Sequence, residues 1–231
     1  MLSLVALKIP ALAAAIISER IAWTPPTPAP SEKEAENFGA KDPVSFFSTI
    51  GPRIGKMCGW LTHGGEILAI LARAMESPLV ASSPWIGRLR LHPAFVLGAA
   101  LVVFGGTVRK ACYDTMGNYF TYQLALVHDH KLVTWGPYSV VRHPSYTGAL
   151  AVSIGQLLMQ FAPGSMLVES GALESAAGRA VAGAWVVYVL FSLMIVVRRV
   201  GKEDVVMRKE FGEQWDEWAR RTRYALVPFV Y

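Results

Sequence analysis

The sequence contains few charged residues. Asp, Glu, Lys and Arg make up 17% of its 231 residues, where soluble domains usually carry about 25%, and hydrophobic residues make up 53%. This composition argues against a disordered chain and against an ordinary soluble enzyme. The net charge of +5 is only a modest basic excess. In so apolar a chain it indicates a membrane as partner and not a nucleic acid.

Cysteine and cofactor-binding motifs are scarce as well. Cys58 and Cys112 form no CxxC pair and no zinc-ligand spacing, so neither a disulfide framework nor a metal site is supported. No GxGxxG motif follows a strand, so a Rossmann-type cofactor site is not supported either. No alternation of apolar and polar residues is long enough to indicate strands. We therefore predict an all-α fold, with helices and short loops after Val44.

Long apolar stretches account for much of the chain. A membrane-spanning helix needs about 20 mostly apolar residues. Three stretches approach this length without any Asp, Glu, Lys or Arg: Leu91–Val108, His143–Val168 and Ala180–Val197. Two weaker candidates, Leu2–Trp23 and Met57–Ala74, carry charged residues. Together they predict a polytopic membrane helix bundle of about five transmembrane helices.

Basic residues are distributed unevenly between the predicted spans. The tail after Val197 contains eight Lys and Arg, whereas the connection between the fourth and fifth spans contains only Arg179. Cytoplasmic loops of membrane proteins carry an excess of Lys and Arg. The distribution therefore predicts that the first, third and last connections face the cytoplasm and that the N-terminus faces the lumen.

A single integral membrane domain over 1–231 is the predicted organisation, with a first transmembrane helix at 1–23, a Pro-rich and acidic linker at 24–43, and a helix bundle with its C-terminal tail at 44–231. The linker begins Thr24-Pro25-Pro26, which no helix can include. The first segment could instead be a cleaved signal peptide, but a signal has a basic start and this segment has no charge before Lys8.

Two ionisable residues, His63 and Glu66, lie inside the predicted second span. Ionisable groups inside a membrane are candidates for functional roles. Being three residues apart, they could pair with one another. They could equally face a polar tunnel.

The most unusual local sequence is the connection from His130 to Gly148, before the fourth span. Pro144 suits the first turn of a helix. Arg142 and His143 are therefore predicted at the start of that helix, beside free backbone N–H groups that can hold an anion. Interfacial anchoring is the alternative, because Arg, His and Tyr are common at the membrane surface.

A second group of charged residues follows the fifth span. Arg199 and Glu203 are four residues apart, so they share a helix face. They could form a solvated ion pair, or they could present one cation and one anion to a shared ligand. Further on, Phe211, Trp215 and Trp218 have helical spacing, which predicts packing of the tail on the membrane surface or on the other loop.

Taken together, these motifs resemble the isoprenylcysteine carboxyl methyltransferases. The resemblance covers residues 90–231 strongly and the N-terminus loosely, and the Pro-rich linker is similar to that of fungal members. An Arg-His-Pro-x-Tyr-x-Gly element is shared with phospholipid N-methyltransferases, and some sterol reductases have a related part. The His-x-Leu-Val-Thr element at His130–Thr134 favours the prenylcysteine enzymes. The other matching positions are Arg199, Glu203, Phe211-Gly212 and Leu226-Val227-Pro228.

The resemblance implies a methyltransferase that uses S-adenosylmethionine and methylates the C-terminal carboxylate of prenylated cysteine in processed CaaX proteins. It implies a cytoplasmic cofactor pocket built from the loop before the fourth span and the C-terminal tail, without a metal. Glu203 is expected to bind the α-ammonium group of the donor, and Arg199 the substrate carboxylate. The remaining expected cofactor-binding residues are His130, Lys131, Leu132, Val133, Tyr138, His143, Pro144, Ser145 and Tyr146.

The resemblance also implies residence in the endoplasmic reticulum membrane, with the active site facing the cytoplasm. Expected partners are prenylated proteins and the lipid bilayer. A methyltransferase for phospholipids or other small lipids is the main alternative, because it would differ only in its acceptor pocket. A membrane reductase that uses NADPH is a more distant one.

Overall fold

The computed structural model describes residues 4–27, 43–122 and 131–230, and these residues form an all-α protein. No strand occurs within these ranges, which confirms the predicted fold class. Short 3₁₀ turns connect several of the helices. In chain order the helices are α1 Lys8–Ala22, α2 Pro43–Ala74, α3 Pro78–Ser82, α4 Pro93–Met116, α5 Pro144–Phe161, α6 Met166–Glu169, α7 Ala176–Phe211 and α8 Glu213–Arg221.

Three helical segments are long and apolar enough to cross a membrane: Pro93–Tyr119, Pro144–Glu169 and Ala176–Phe211. They overlap the predicted third, fourth and fifth spans over nearly all of their residues. The α7 helix exposes large apolar side chains along its length, such as Val181 and Val187, as expected for a surface that faces lipid. The first two predicted spans fall on α1 and α2, and their crossing of the membrane stays a prediction.

Glycines allow α4 and α5 to pack closely against each other. A Cβ atom on Gly98 would lie 2.6 Å from the carbonyl oxygen of Gly155, and one on Gly148 would lie 2.8 Å from that of Gly105. On each helix the two glycines are seven residues apart, which is about two turns, so they line one face. Small residues at such positions let helix backbones approach closely in membranes.

A buried ion pair and a second contact between polar side chains connect α1 to α2. Lys8 pairs with Glu66, and its ammonium group also donates to the Gly164 carbonyl over 2.9 Å. The other pair joins Glu19 and His63, with Nδ1 of the imidazole 3.3 Å from Oε1 of the carboxylate. His63 and Glu66 therefore pair with α1 and not with one another. The sequence left open a pair between these two residues or a polar tunnel, and the structure shows contacts with α1 instead.

Two helices continue beyond the predicted ends of their spans. The α4 helix runs to Met116, eight residues past the expected end at Val108. Arg109, which the sequence placed in a cytoplasmic connection, is buried and donates to the Ala22 carbonyl over 2.7 Å. The α7 helix has 36 residues and is therefore about 54 Å long, well beyond the roughly 30 Å of a bilayer core. Its C-terminal part must extend past the apolar layer.

Candidate active site

The loop before α5 and the C-terminal tail are hydrogen-bonded to each other. The backbone N–H of Arg142 donates to the Tyr224 carbonyl over 2.9 Å, and that of His143 donates to the Ala225 carbonyl over 2.8 Å. The guanidinium of Arg142 also donates to the Arg223 carbonyl over 2.6 Å. Two segments about 80 residues apart in sequence thus form one structural unit above α5.

Asp204 connects the same loop to α7. Its carboxylate accepts from Arg142 Nη2 over 3.0 Å and lies 2.8 Å from Nε2 of His143. The sequence predicted that Arg142 and His143 could hold an anion at the start of α5. The anion beside them in the structure is this side chain of the protein itself.

Glu203, one residue before Asp204, is oriented differently. Its Oε2 accepts a hydrogen bond of 2.5 Å from the hydroxyl of Tyr146, and its Oε1 lies 3.9 Å from Nδ1 of His143. The rings of His143 and Tyr146 are stacked, with centroids 5.6 Å apart. The side chain of Glu203 keeps 27% of its surface exposed, against 17% for Asp204. Glu203 is therefore the carboxylate with the greater capacity to accept a ligand.

Tyr138 lies beneath this group in an apolar environment. Its hydroxyl donates to Sδ of Met116 over 2.8 Å, and its carbonyl accepts from the indole N–H of Trp218 over 3.1 Å. Burial raises the pKa of Tyr138 far above its usual value, so the phenol is neutral at physiological pH. The tail helix α8 therefore packs on the loop through Trp218, one of the two alternatives predicted from its spacing.

These side chains surround a cavity of about 90 Å³, called the polar cavity below because Arg142, Glu203 and Asp204 contribute to a wall that is otherwise largely apolar. The loop, the start of α5 and the C-terminal half of α7 all contribute to its walls. Of the residues predicted from sequence, those that line it are Leu132, Val133, Tyr138, His143, Ser145, Tyr146, Arg199 and Glu203.

Two of the predicted site residues lie elsewhere, and a third is not described. Pro144 is buried at the first turn of α5 and does not line the cavity. Lys131 is exposed and is also absent from its lining. His130 falls outside the residues that the structure describes.

The segment 131–134 has no regular secondary structure, and part of it lies beside the cavity. Among the described residues, no backbone-to-backbone hydrogen bond involves an N–H or carbonyl of this segment. Leu132 and Val133 of the segment line the cavity. Backbone N–H and carbonyl groups that are shielded from water require hydrogen-bond partners. The segment can therefore bind a polar ligand through its main chain.

A second cavity, of about 140 Å³, lies between α2, α5 and α7. Most of its wall is apolar, with aromatic residues such as Trp185 and Tyr188 and aliphatic residues such as Val189 and Leu193. It meets the polar cavity at a small set of common residues. The residues that line both are Phe120, Thr121, Ser145, Tyr146 and Arg199.

Arg199 occupies the junction of the two cavities. Its Nη1 donates to the Tyr122 carbonyl over 2.8 Å, which fixes the guanidinium. Its Nε is buried and has no hydrogen-bond partner among the described residues, and it lies 4.0 Å from Oε2 of Glu203. Buried donors without partners are uncommon. The free N–H can therefore bind an anionic ligand at the point where polar and apolar space meet.

Sequence reasoning missed two contributors to the site. Asp204 was not among the predicted site residues, and Met116 lies beyond the predicted end of its span at Val108. A signal existed for Asp204, because it directly follows Glu203 in a helix and so points to a different side. No local pattern identifies Met116 as the partner of Tyr138.

Comparison with known proteins places the chain among the isoprenylcysteine carboxyl methyltransferases. Residues 96–209 match the model of the isoprenylcysteine carboxyl methyltransferase (ICMT) family. Protein-S-isoprenylcysteine O-methyltransferase B of Arabidopsis thaliana is 33% identical over 167 residues, which cover 71% of each chain. The Homo sapiens protein-S-isoprenylcysteine O-methyltransferase is 32% identical over 174 residues, covering 70% of this chain and 54% of that protein. The chain therefore belongs to the isoprenylcysteine carboxyl methyltransferase family.

Proposed function

We propose that the protein transfers a methyl group from S-adenosylmethionine to the C-terminal carboxylate of prenylated cysteine in processed CaaX proteins. We place this activity in the endoplasmic reticulum membrane, with the polar cavity facing the cytoplasm. The observation that carries the proposal is the contact between a polar and an apolar cavity at Arg199. A water-soluble donor and a lipid-modified acceptor need such a pair of spaces.

The donor would occupy the polar cavity. Glu203 has one carboxylate oxygen held by Tyr146, so the carboxylate is oriented to bind an ammonium group of the donor. The backbone of Leu132 and Val133 has free hydrogen-bonding groups for the polar parts of the ligand. Unpaired polar groups of these kinds fit the donor expected from the family.

The nucleophile would be the α-carboxylate of the acceptor. An α-carboxyl group has a pKa near 3.5 and is ionised at neutral pH, so no general base is needed. Bound S-adenosylmethionine supplies an electrophilic methyl on a sulfonium sulfur, and the transfer forms one O–C bond and breaks one S–C bond without moving a proton. Arg199 would hold the carboxylate through its free Nε–H, as a charge-assisted hydrogen bond.

The main catalytic contribution of these residues would be orientation. Holding two reactants in line can lower a barrier by several kcal/mol, up to roughly 7–11 in favourable cases. The hydrogen bond from Arg199 to the Tyr122 carbonyl and the one from Tyr146 to Glu203 fix both binding groups before any ligand arrives. The prenyl chain would lie in the apolar cavity, where each buried CH₂ contributes about 0.8 kcal/mol.

A methyl-transfer assay tests the proposal. Purified protein in detergent receives S-adenosylmethionine with a labelled methyl group and either S-farnesylcysteine or phosphatidylethanolamine. We expect label only in the prenylcysteine, as a base-labile ester. Label found only in the phospholipid would refute our acceptor, and binding of NADPH without binding of S-adenosylmethionine would refute the reaction class.

Matched variants test the roles of the two charged residues. Arg199→Ala should raise the KM for the prenylcysteine, and Glu203→Gln should weaken binding of S-adenosylmethionine, each by about tenfold or more. The controls are Arg198→Ala and Glu210→Gln, because both residues are exposed on the same helix and line neither cavity. Normal kinetics in both site variants would show that the assigned roles are wrong.

A further inference from the structure

The indole N–H of Trp215 is a buried donor in the wall of the polar cavity. Trp215 lies on the tail helix α8 and lines this cavity. Its N–H has no hydrogen-bond partner within residues 4–27, 43–122 and 131–230. Because buried polar groups nearly always have a partner, this N–H is a candidate for binding a ligand.

The position of Trp215 is fixed by its neighbour on α8. Trp218, three residues further on and 5% exposed, donates its own indole N–H to the Tyr138 carbonyl over 3.1 Å. Residues three apart are neighbours on one face of a helix. The contact between Trp218 and the loop therefore holds the ring of Trp215 beside the cavity.

The part of the cavity at Trp215 has apolar walls. Trp215 and Leu132 pack against the same apolar cluster, which includes Val133, Tyr138 and Trp218. Leu132 and Val133 also belong to the segment whose backbone groups have no backbone partner among the described residues. Apolar walls with a few fixed donors and acceptors are typical of sites for uncharged ring systems.

The charged part of the cavity lies elsewhere. Glu203 is bound by Tyr146, and Tyr146 packs against a separate apolar cluster that contains Val200 and Leu226. Met207, one turn and about 6 Å beyond Glu203 along α7, still lines the cavity. The cavity therefore extends from Glu203 towards the end of α7, where α8 follows.

The donor of the proposed reaction has the same two parts. S-adenosylmethionine carries a charged amino acid at one end and adenine at the other. Adenine presents acceptor nitrogens in its ring and a donor amine outside it. The acceptors match the indole N–H of Trp215, and the amine matches the backbone carbonyls of the segment 131–134.

We propose that Trp215 binds the adenine base of S-adenosylmethionine by donating its indole N–H to a ring nitrogen, and thereby sets the direction in which the donor lies in the polar cavity. This inference rests on the proposed function. It adds a binding group for the base to the group that Glu203 provides for the amino acid. The sulfonium lies between these two ends of the donor, so holding both ends fixes its position.

Two ligands that share the base but not the amino acid test the proposal. S-adenosylhomocysteine has both ends of the donor, whereas 5′-methylthioadenosine has the base and the sugar alone. Trp215→Phe keeps an aromatic ring and removes the N–H, and it should raise the Kd of both ligands about tenfold. Glu203→Gln should raise the Kd of S-adenosylhomocysteine about tenfold and leave that of 5′-methylthioadenosine nearly unchanged. Calorimetry on the full chain in detergent measures both constants.

The control is Trp135→Phe, because Trp135 is 58% exposed and lines neither cavity. It should change neither constant. The inference is wrong if Trp215→Phe binds both ligands as tightly as the wild type, or if it weakens S-adenosylhomocysteine alone.

Two further results would also overturn the inference. A Trp215→Phe variant that does not fold, or that unfolds at a clearly lower temperature without ligand, would show that the N–H serves packing. A wild type that binds S-adenosylhomocysteine but not 5′-methylthioadenosine would show that the base has no site of its own. A wild type that binds neither ligand refutes the proposed function instead.

Discussion

Replacing Asp204 should detach the loop before α5 from α7. Its carboxylate binds Arg142 over 3.0 Å and His143 over 2.8 Å, and all three side chains are at least four-fifths buried. Hydrogen bonds to charged groups contribute about 1.5–3 kcal/mol each. Arg142 keeps its backbone acceptors in the tail after the change, so we expect Asp204→Ala to cost about 3 kcal/mol, near the lower end for two such bonds.

This loss can be measured by hydrogen exchange. The backbone N–H groups of Arg142 and His143 donate to the tail and exchange only when the loop opens, and Asp204 opposes that opening by holding the side chains of the same two residues. A loss of 3 kcal/mol corresponds to roughly a hundredfold increase in the open population, and we expect exchange of these groups to accelerate by about that factor. Affinity for S-adenosylmethionine should fall as well, because the polar cavity loses part of its wall.

An exposed ion pair on the same tail provides the matched control. Asp216 lies 2.9 Å from Nε of Arg208, and the two side chains are 40% and 64% exposed. Exposed pairs contribute about 0–1 kcal/mol, so Asp216→Ala should barely change exchange of the loop. Equal exchange in Asp204→Ala and the wild type, or an equal effect of both variants, would refute the argument from burial.

Two further predictions concern stability and are measured by thermal unfolding in detergent. Lys8→Met leaves Glu66 buried without its partner and should lower the free energy of unfolding by about 3–5 kcal/mol. The double variant Lys8→Met with Glu66→Leu should lose clearly less. A double variant no more stable than Lys8→Met alone would contradict this. Gly105→Ala places a methyl group against the backbone of Gly148 and should cost about 1–3 kcal/mol. The control Gly183→Ala, where a Cβ meets open space, should not destabilise the protein; a loss in the control as large as that of Gly105→Ala would argue against close packing as the cause.

The predicted spans show which features of a helix can be predicted from apolar stretches in the sequence. An apolar stretch of membrane-spanning length has no alternative to helix inside a bilayer, because its backbone must satisfy its own hydrogen bonds. The three uncharged stretches therefore correspond to helices in the structure. Their ends were less predictable. The sequence predicted that the third span ends just before the charged Arg109. Packing against α1 buries this side chain, and the helix continues to Met116.

The sequence did not predict which residues pair with the buried polar groups. His63 and Glu66 have the spacing of an intrahelical pair, but each pairs with a residue of α1 instead. The choice depends on how α1 lies against α2, which no local pattern encodes. The same holds for Asp204, whose role follows from the position of the loop and not from its place in the chain.

What the sequence determined by itself is the helical class, the apolar segments and the chemical types at the site, because these depend on local composition and on spacing along one helix. Only the tertiary structure decided that Arg199 lies where the two cavities meet. Cavities are the space left between packed elements. Their size and contact depend on the relative positions of α2, α5 and α7, which long-range packing sets.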